Sequence, residues 1–150
     1  MFRYQTMTAD IQDILSHYVP LMEGIEMVQY DSLLHREVVP QIYKRSYHMR
    51  PWGDKWDAVE GFYPEGIFLL LNVQEQYYVG FIISYVNENL PYISAIGVED
   101  KYRSKHLGTC LVQQIALHYA KLGYKKLWVD VKPHSDSFFD RCLTMGFHCI

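Results

Sequence analysis

Long apolar runs are missing from this 150-residue sequence: the longest, Ile67 to Leu71, falls far short of the roughly 20 residues that a membrane-crossing helix needs. Behind Arg3 no apolar core of a signal peptide follows, so the chain is expected to be soluble and cytoplasmic. Cysteine is scarce. Cys110, Cys142 and Cys149 are odd in number and lack the paired spacing of a disulfide framework or zinc site, which suits a reducing compartment. The seven histidines never form the H-E-x-x-H pattern that sets two ligands on one helical face, and no metal is expected. Net positive charge is absent, as is any basic stripe between aromatics, which argues against a nucleic-acid partner. Repeats and low-complexity linkers are also missing, leaving residues 1–150 as one domain.

What is present is an ordinary globular mixture, 49% hydrophobic and 21% charged, long enough to bury about two-thirds of its unfolded surface. The net charge of -3 hides an asymmetry. Residues 1–98 carry twelve acids against six bases, whereas residues 99–150 carry five acids against eight bases. Local charge of this kind biases which partners each half meets and says nothing of fold.

The patterning predicts the order of elements. A strand over Phe2–Met7 precedes Thr8 and Asp10, either of which could cap a helix through Ile11, Ile14, Leu15 and Tyr18. A second helix over Asp31–Tyr47 would be kinked or split at Pro40. His48–Gly66, with Trp52, Trp56, Phe62 and Tyr63, reads as a long loop that either binds something or covers the core. Strands at Ile67–Val73, Tyr77–Val86 and Tyr92–Val98, joined by short polar links, predict an antiparallel meander. The period then changes to that of a helix along Leu107, Leu111 and Ile115, closed by Gly123. Leu127–Val131 is a further strand, and Ser135 could cap a last helix through Phe138, Phe139 and Cys142 that ends at Gly146. Three-layer α+β architecture with a mixed, mainly antiparallel sheet and helices on both faces follows.

The stretch from Ala95 to Val112 carries the chemistry. A strand ends at Val98, a turn bears Lys101, Arg103 and Lys105, and a helix begins near His106 or Leu107. Free N–H groups and a partial positive charge at a helix start favour an anion. Gly108, without a Cβ, would let a phosphate oxygen approach the backbone, and Thr109 adds a hydroxyl. The alternative is a basic turn on a solvated helix with a packing glycine.

Arg103-Ser104-Lys105-His106-Leu107-Gly108 resembles the R/Q-x-x-G-x-G/A signature of the GNAT superfamily of acetyl-CoA-dependent N-acetyltransferases, with His106 where the first glycine is usual. Val79-Gly80-Phe81, the segment Gly123 to Val131 and Met145-Gly146-Phe147 extend the likeness over roughly residues 67–147. The resemblance implies acetyl-CoA as co-substrate. Its pyrophosphate would rest on Arg103, Ser104, Lys105, His106, Leu107, Gly108 and Thr109, with Ser135 also on the cofactor side, and its pantetheine arm would pair with Ile96, Gly97 and Val98. A backbone N–H near Val98 would face the thioester oxygen. His106 is expected at most to weaken cofactor affinity.

The implied reaction is transfer of acetyl to a primary amine by direct attack, which needs a base for the ammonium proton and an acid for the leaving thiolate. Cys142 stands where the family commonly has a tyrosine acid, and reads either as that acid or as a core cysteine. Glu88 is the candidate base, or simply a surface carboxylate; Tyr92 is a candidate relay, or a core aromatic. The chain stops three residues after Phe147, where family members usually add one or two strands, so the C-terminal strands look truncated and the open edge suggests a homodimer. The acidic, aromatic first half would suit a cationic acceptor such as a polyamine, lysine, peptide N-terminus or aminoglycoside, with Asp57 and Glu60 helping to hold it. A CoA-binding regulatory module without activity, or a protein-interaction domain using the aromatic loop, are the alternatives.

Overall fold

A computed structural model describes residues 4–47, 52–131 and 137–150. Its strands are β1 (Gln5–Asp10), β2 (Ile25–Gln29), β3 (Ile67–Asn72), β4 (Tyr77–Asn87), β5 (Leu90–Val98), β6 (Lys126–Val131) and β7 (His148–Cys149). Its helices are α1 (Ile11–Ser16), α2 (Ser32–His35), α3 (Val38–Tyr47), α4 (Leu107–Lys121) and α5 (Ser137–Met145).

Alternation along β3 shows why two layers of helix form. Phe68 and Leu70 enter one apolar cluster with Ile11 and Ile14 of α1 and Leu111 and Ile115 of α4. Ile67 and Leu69 point the other way, into a smaller cluster with Val39 and Ile42 of α3 and Phe81 of β4. A strand with both faces covered reads as a continuous apolar run, as Ile67–Leu71 does. The meander forms as its spacing predicts, with β3, β4 and β5 antiparallel and one register shift in each pairing.

Three features differ from the sequence reading. β2, not anticipated, pairs antiparallel with β3 at one sheet edge; its pattern is faint because only Ile25 is buried. The Asp31–Tyr47 helix divides into α2 and α3, and Pro40 sits in the first turn of α3, where a missing N–H is tolerated. The sheet order β2-β3-β4-β5-β6-β1-β7 puts the chain's own β1 between β6 and β7. Six residue pairs join β1 to β6, and Met7 and Thr8 pair with β7. The two-residue β7, exposed at both positions, ends the sheet on that side.

His35, only 1% exposed, fastens α2 to the sheet. Its Nδ1 accepts the Asp31 N–H at 2.8 Å, so Nε2 carries the proton and faces the Tyr78 hydroxyl at 2.8 Å. Burial pushes its pKa below the ordinary value, against the opposing pull of Asp31. On the opposite face the Ser84 hydroxyl donates to the Gly66 carbonyl at 2.7 Å and lies 2.9 Å from the Tyr119 hydroxyl, whose pKa burial pushes up to about 12.

Candidate functional site

β5 and β6 run parallel but pair only at Tyr92–Trp128 and Ile93–Val129. Beyond that point no strand among the described residues pairs with the second edge of β5 from Ser94 to Val98. The Glu99 N–H bonds back to Val79 on β4. By the two-residue alternation of a strand, Ile96 and Val98 thus turn their backbone groups toward that edge. The Tyr47 hydroxyl donates to the Ile96 carbonyl, and Arg103 Nε donates to the Val98 carbonyl at 3.2 Å. A cavity of about 270 Å³ lies in this cleft, lined by Tyr47, Ser94, Ala95, Ile96, Asp130 and Phe138.

At the far end of β5 the chain turns through Arg103–His106 into α4. Ser104 and His106 have φ of +66° and +62°, so two residues of the turn are left-handed. Left-handed residues in a turn are one way that a backbone aims N–H groups at an anion. His106 supplies no side-chain cap to α4, so the N–H groups of Leu107, Gly108 and Thr109 project from the first turn. A Cβ on Gly108 would lie 3.2 Å from Nη1 of Arg141, which brings an α5 guanidinium against this turn. Sequence reasoning missed Arg141, since only packing brings it to α4.

His106 explains how the turn survives without its usual glycine: the backbone keeps the left-handed conformation, which costs a non-glycine residue about 1–2 kcal/mol. His106→Gly is expected to relieve this strain, less the entropy a glycine adds to the unfolded chain, for a net gain of about 0.5–1 kcal/mol. A melting temperature at or below that of the parent would contradict it.

The remaining candidates sort by position. Ser104, Lys105 and His106 are exposed on the turn; Leu107 is buried in the core and Thr109 is nearly buried, so their contribution is through backbone. Arg103 has another occupation: besides Val98 it donates to the Ser46 carbonyl and lies 3.4 Å from Asp100, tying the end of α3 to the end of β5. Gly97 is required by packing, since a Cβ there would fall 2.7 Å from the Phe81 ring and 3.1 Å from Ser46 Oγ. Glu99 turns from the anion turn to Arg45, at 3.4 Å, and accepts the Tyr77 hydroxyl at 3.0 Å. Ser135 lies outside the described residues.

Cys142 is fully buried in the larger core cluster. Glu88 and Asn89, with φ of +51° and +64°, form the two-residue tip of the β4–β5 hairpin. At about 3.3 Å per residue, the six residues to Ser94 put Glu88 roughly 20 Å along the strand from the near end of the cleft. Tyr92 stands closer, stacked on Tyr85 at 5.8 Å and tilted against Trp128 at 6.2 Å.

A second cavity, about 770 Å³, adjoins the first. The β4–β5 register skips one residue, so Ser94 is bulged out, and Ser94 and Ala95 line both cavities. Bulges of this sort re-aim side chains next to working sites. The aromatic loop forms the outer wall, and Arg36 holds it: Nε meets Asp57 at 2.8 Å, Nη2 donates to the Asp54 carbonyl, and the Arg36 carbonyl accepts from Trp56 Nε1 at 2.8 Å. Asp57 is thereby engaged by Arg36. Trp52 stacks on Tyr43 at 4.4 Å while lining the cavity, so the loop both covers the core and walls a site. On the inner wall the Tyr63 hydroxyl lies 2.8 Å from His118 Nε2. Burial lowers the His118 pKa and raises that of Tyr63.

Among the described residues no three His, Cys, Asp or Glu side chains are grouped to hold a metal ion, and no helix is long and apolar enough to cross a membrane. Residues 36–144 match the acetyltransferase (GNAT) family. No curated protein matches by sequence. The fold is similar to that of a GCN5-related N-acetyltransferase from Sphaerobacter thermophilus, with TM-score 0.77 and 16% identity over 99% of this chain and 50% of that one, so this chain spans half its length. It is also similar to the ribosomal-protein-S18-alanine N-acetyltransferase from Escherichia coli, with TM-score 0.67 and 20% identity over 81% of this chain and 76% of that one. The NatC complex bound to Gag peptide and CoA gives TM-score 0.67 and 14% identity over 82% of this chain and 84% of that one.

Proposed function

The chain belongs to the acetyltransferase (GNAT) family, and from that premise we propose that it moves acetyl from acetyl-CoA to a primary amine by direct attack with both substrates bound. The observation that carries this reading is the divergence of β5 from β6 between two features: a left-handed turn at the start of α4 and a separate cavity reached at Ser94. The residues fit acetyl-CoA. Backbone N–H groups of Leu107, Gly108 and Thr109 would hold its diphosphate, with Arg141 alongside. When bound, acetyl-CoA supplies an activated acetyl thioester. Ile96 and Val98 turn their backbone groups to the cleft; the Ile96 N–H, nearer the Ser94 bulge, would donate to its carbonyl oxygen as negative charge develops there, and the Val98 N–H would pair with the pantetheine arm.

The ammonium of the acceptor must lose a proton before it attacks. Tyr63, on the wall of the larger cavity, and His118 behind it would carry that proton outward; His118, its pKa lowered by burial, is neutral and able to accept it at pH 7. The acetylated amine, free CoA thiol and one proton then leave. Tyr63→Phe is expected to lower kcat roughly 10- to 100-fold, the lower range of general-base effects, with little change in the KM for acetyl-CoA. Because protonated His118 cannot accept a proton, parent activity should fall as pH drops below 6.5 toward its depressed pKa, and Tyr63→Phe should flatten that limb. An unchanged pH profile would remove the pair from the mechanism.

The reading itself is tested by melting with acetyl-CoA and by thiol release on a panel of amines. Stabilisation with turnover is expected. Stabilisation without turnover on any amine would point instead to a CoA-binding module, and neither would point to an interaction domain.

A further inference from the structure

The chemistry of the larger cavity restricts the acceptor. Its wall is built from Trp52, Trp56, Phe62, Tyr63, Val59 and Ile83, and its volume is about 770 Å³. Among the described lining residues the charged side chains are Lys55 and Glu60, both exposed, so the interior presents apolar and aromatic surface beside Ser94. Two of the acids that made the first half look suited to a polycation are used elsewhere: Asp57 pairs with Arg36, and Asp31 caps α2 by accepting the Leu33 N–H. A second ammonium carried into this cavity would lose water against apolar walls and meet, among the described lining residues, only the exposed Glu60 carboxylate, an unfavourable exchange. A flat ring or branched alkyl group would instead bury apolar area against indole and phenyl faces.

Resting on the acetyl-transfer reading, we propose that the acceptor is a monoamine in which the attacking primary amine is joined, within a few atoms, to one compact aromatic or branched aliphatic group. The amine enters at the Ser94 bulge, where the two cavities meet, and the apolar group occupies the space under the aromatic loop. Polyamines and aminoglycosides are poor acceptors. Such a group occurs on free arylalkylamines and on the first residue of a polypeptide, and the two sources share this chemistry.

The experiment measures thiol release by the full chain with saturating acetyl-CoA and 2-phenylethylamine, isoamylamine, the peptide amide Phe-Gly-Gly, spermidine or neamine. Binding of each amine is followed in parallel by tryptophan fluorescence, which needs no turnover. At least a tenfold higher kcat/KM is expected for 2-phenylethylamine than for spermidine, with saturable fluorescence change for the first alone. Phe-Gly-Gly matching 2-phenylethylamine would identify chain N-termini as the source; a much poorer rate would identify free amines. Val59→Asp, at an exposed lining position, should reverse the preference toward spermidine without altering the KM for acetyl-CoA. Trp56→Ala should raise the KM for 2-phenylethylamine severalfold. Equal or faster turnover of spermidine or neamine would overturn the proposal while leaving acetyl transfer intact. Acetyl-CoA binding with no turnover and no fluorescence response to any amine would overturn both.

Discussion

Gly108→Glu is expected to leave the free protein folded and to erase its response to acetyl-CoA. Position 108 lies in the first turn of α4, and the atom a Cβ would meet is the end of the Arg141 side chain, 3.2 Å away, which can give. Replacing glycine inside a helix also gains up to about 1 kcal/mol of propensity, so folding is spared. Binding is not. The new carboxylate would stand among the N–H groups meant for a diphosphate, facing it with like charge and drawing Arg141 to itself. At a hundredfold excess over its Kd, a ligand stabilises the folded state by about 2.7 kcal/mol, a melting shift of roughly 5–10 °C for a chain of this size. The parent should show that shift and the variant none. Gly108→Ala, adding a Cβ without charge, should keep most of it.

His35→Ala should be the more damaging substitution for the fold. The imidazole is 1% exposed, accepts the Asp31 N–H through Nδ1 and reaches the Tyr78 hydroxyl through Nε2. Truncation leaves a cavity and strands both partners. The expected loss is about 2–4 kcal/mol, or roughly 5–15 °C in melting temperature. The sign of the pH dependence follows from the lowered pKa. The folded protein holds His35 neutral, so its contribution is complete above the unfolded value near 6.5 and fades as pH falls from there through the depressed folded value. The parent should lose stability between pH 7.5 and 5.5, and His35→Ala should lose less over that interval. Part of the slope remains in the variant, because His118 is also held neutral by burial. A variant with the parent's stability and slope would show that the two hydrogen bonds matter little.

The residues that announced themselves in sequence did so through short-range patterns. Alternation from Ile67 to Val98 placed β3, β4 and β5, and the helical period from Leu107 with Gly123 behind it placed α4, because each pattern is fixed by what the element buries. The turn into α4 was legible for the same reason: Arg103, Gly108 and the strand before them lie within one short stretch. What depends on distant pairing was not legible. β2 buries one residue and has almost no pattern. The place of β1 between β6 and β7 is a matter of topology, not of the Gln5–Asp10 sequence. Charge counting could not see that Asp57 is held by Arg36 or that Glu99 faces Arg45, because ion pairs between distant residues leave no trace in a composition. Tyr63 and His118 are 55 positions apart, and no spacing rule joins them. Glu88 looked close to the chemistry because it begins the right strand, yet a two-residue hairpin lengthens that strand and carries the carboxylate away from the cleft.

The most direct measurement is a titration of the isotopically labelled protein with acetyl-CoA, followed residue by residue in its backbone amide spectrum. The largest saturable shifts should fall at Ile96 and Val98 on β5 and at Ser104 to Thr109 around the start of α4, with Trp52, Trp56 and Phe62 little affected until an amine is added. No shift at millimolar acetyl-CoA, or shifts confined to surfaces away from the β5–β6 divergence, would contradict the account.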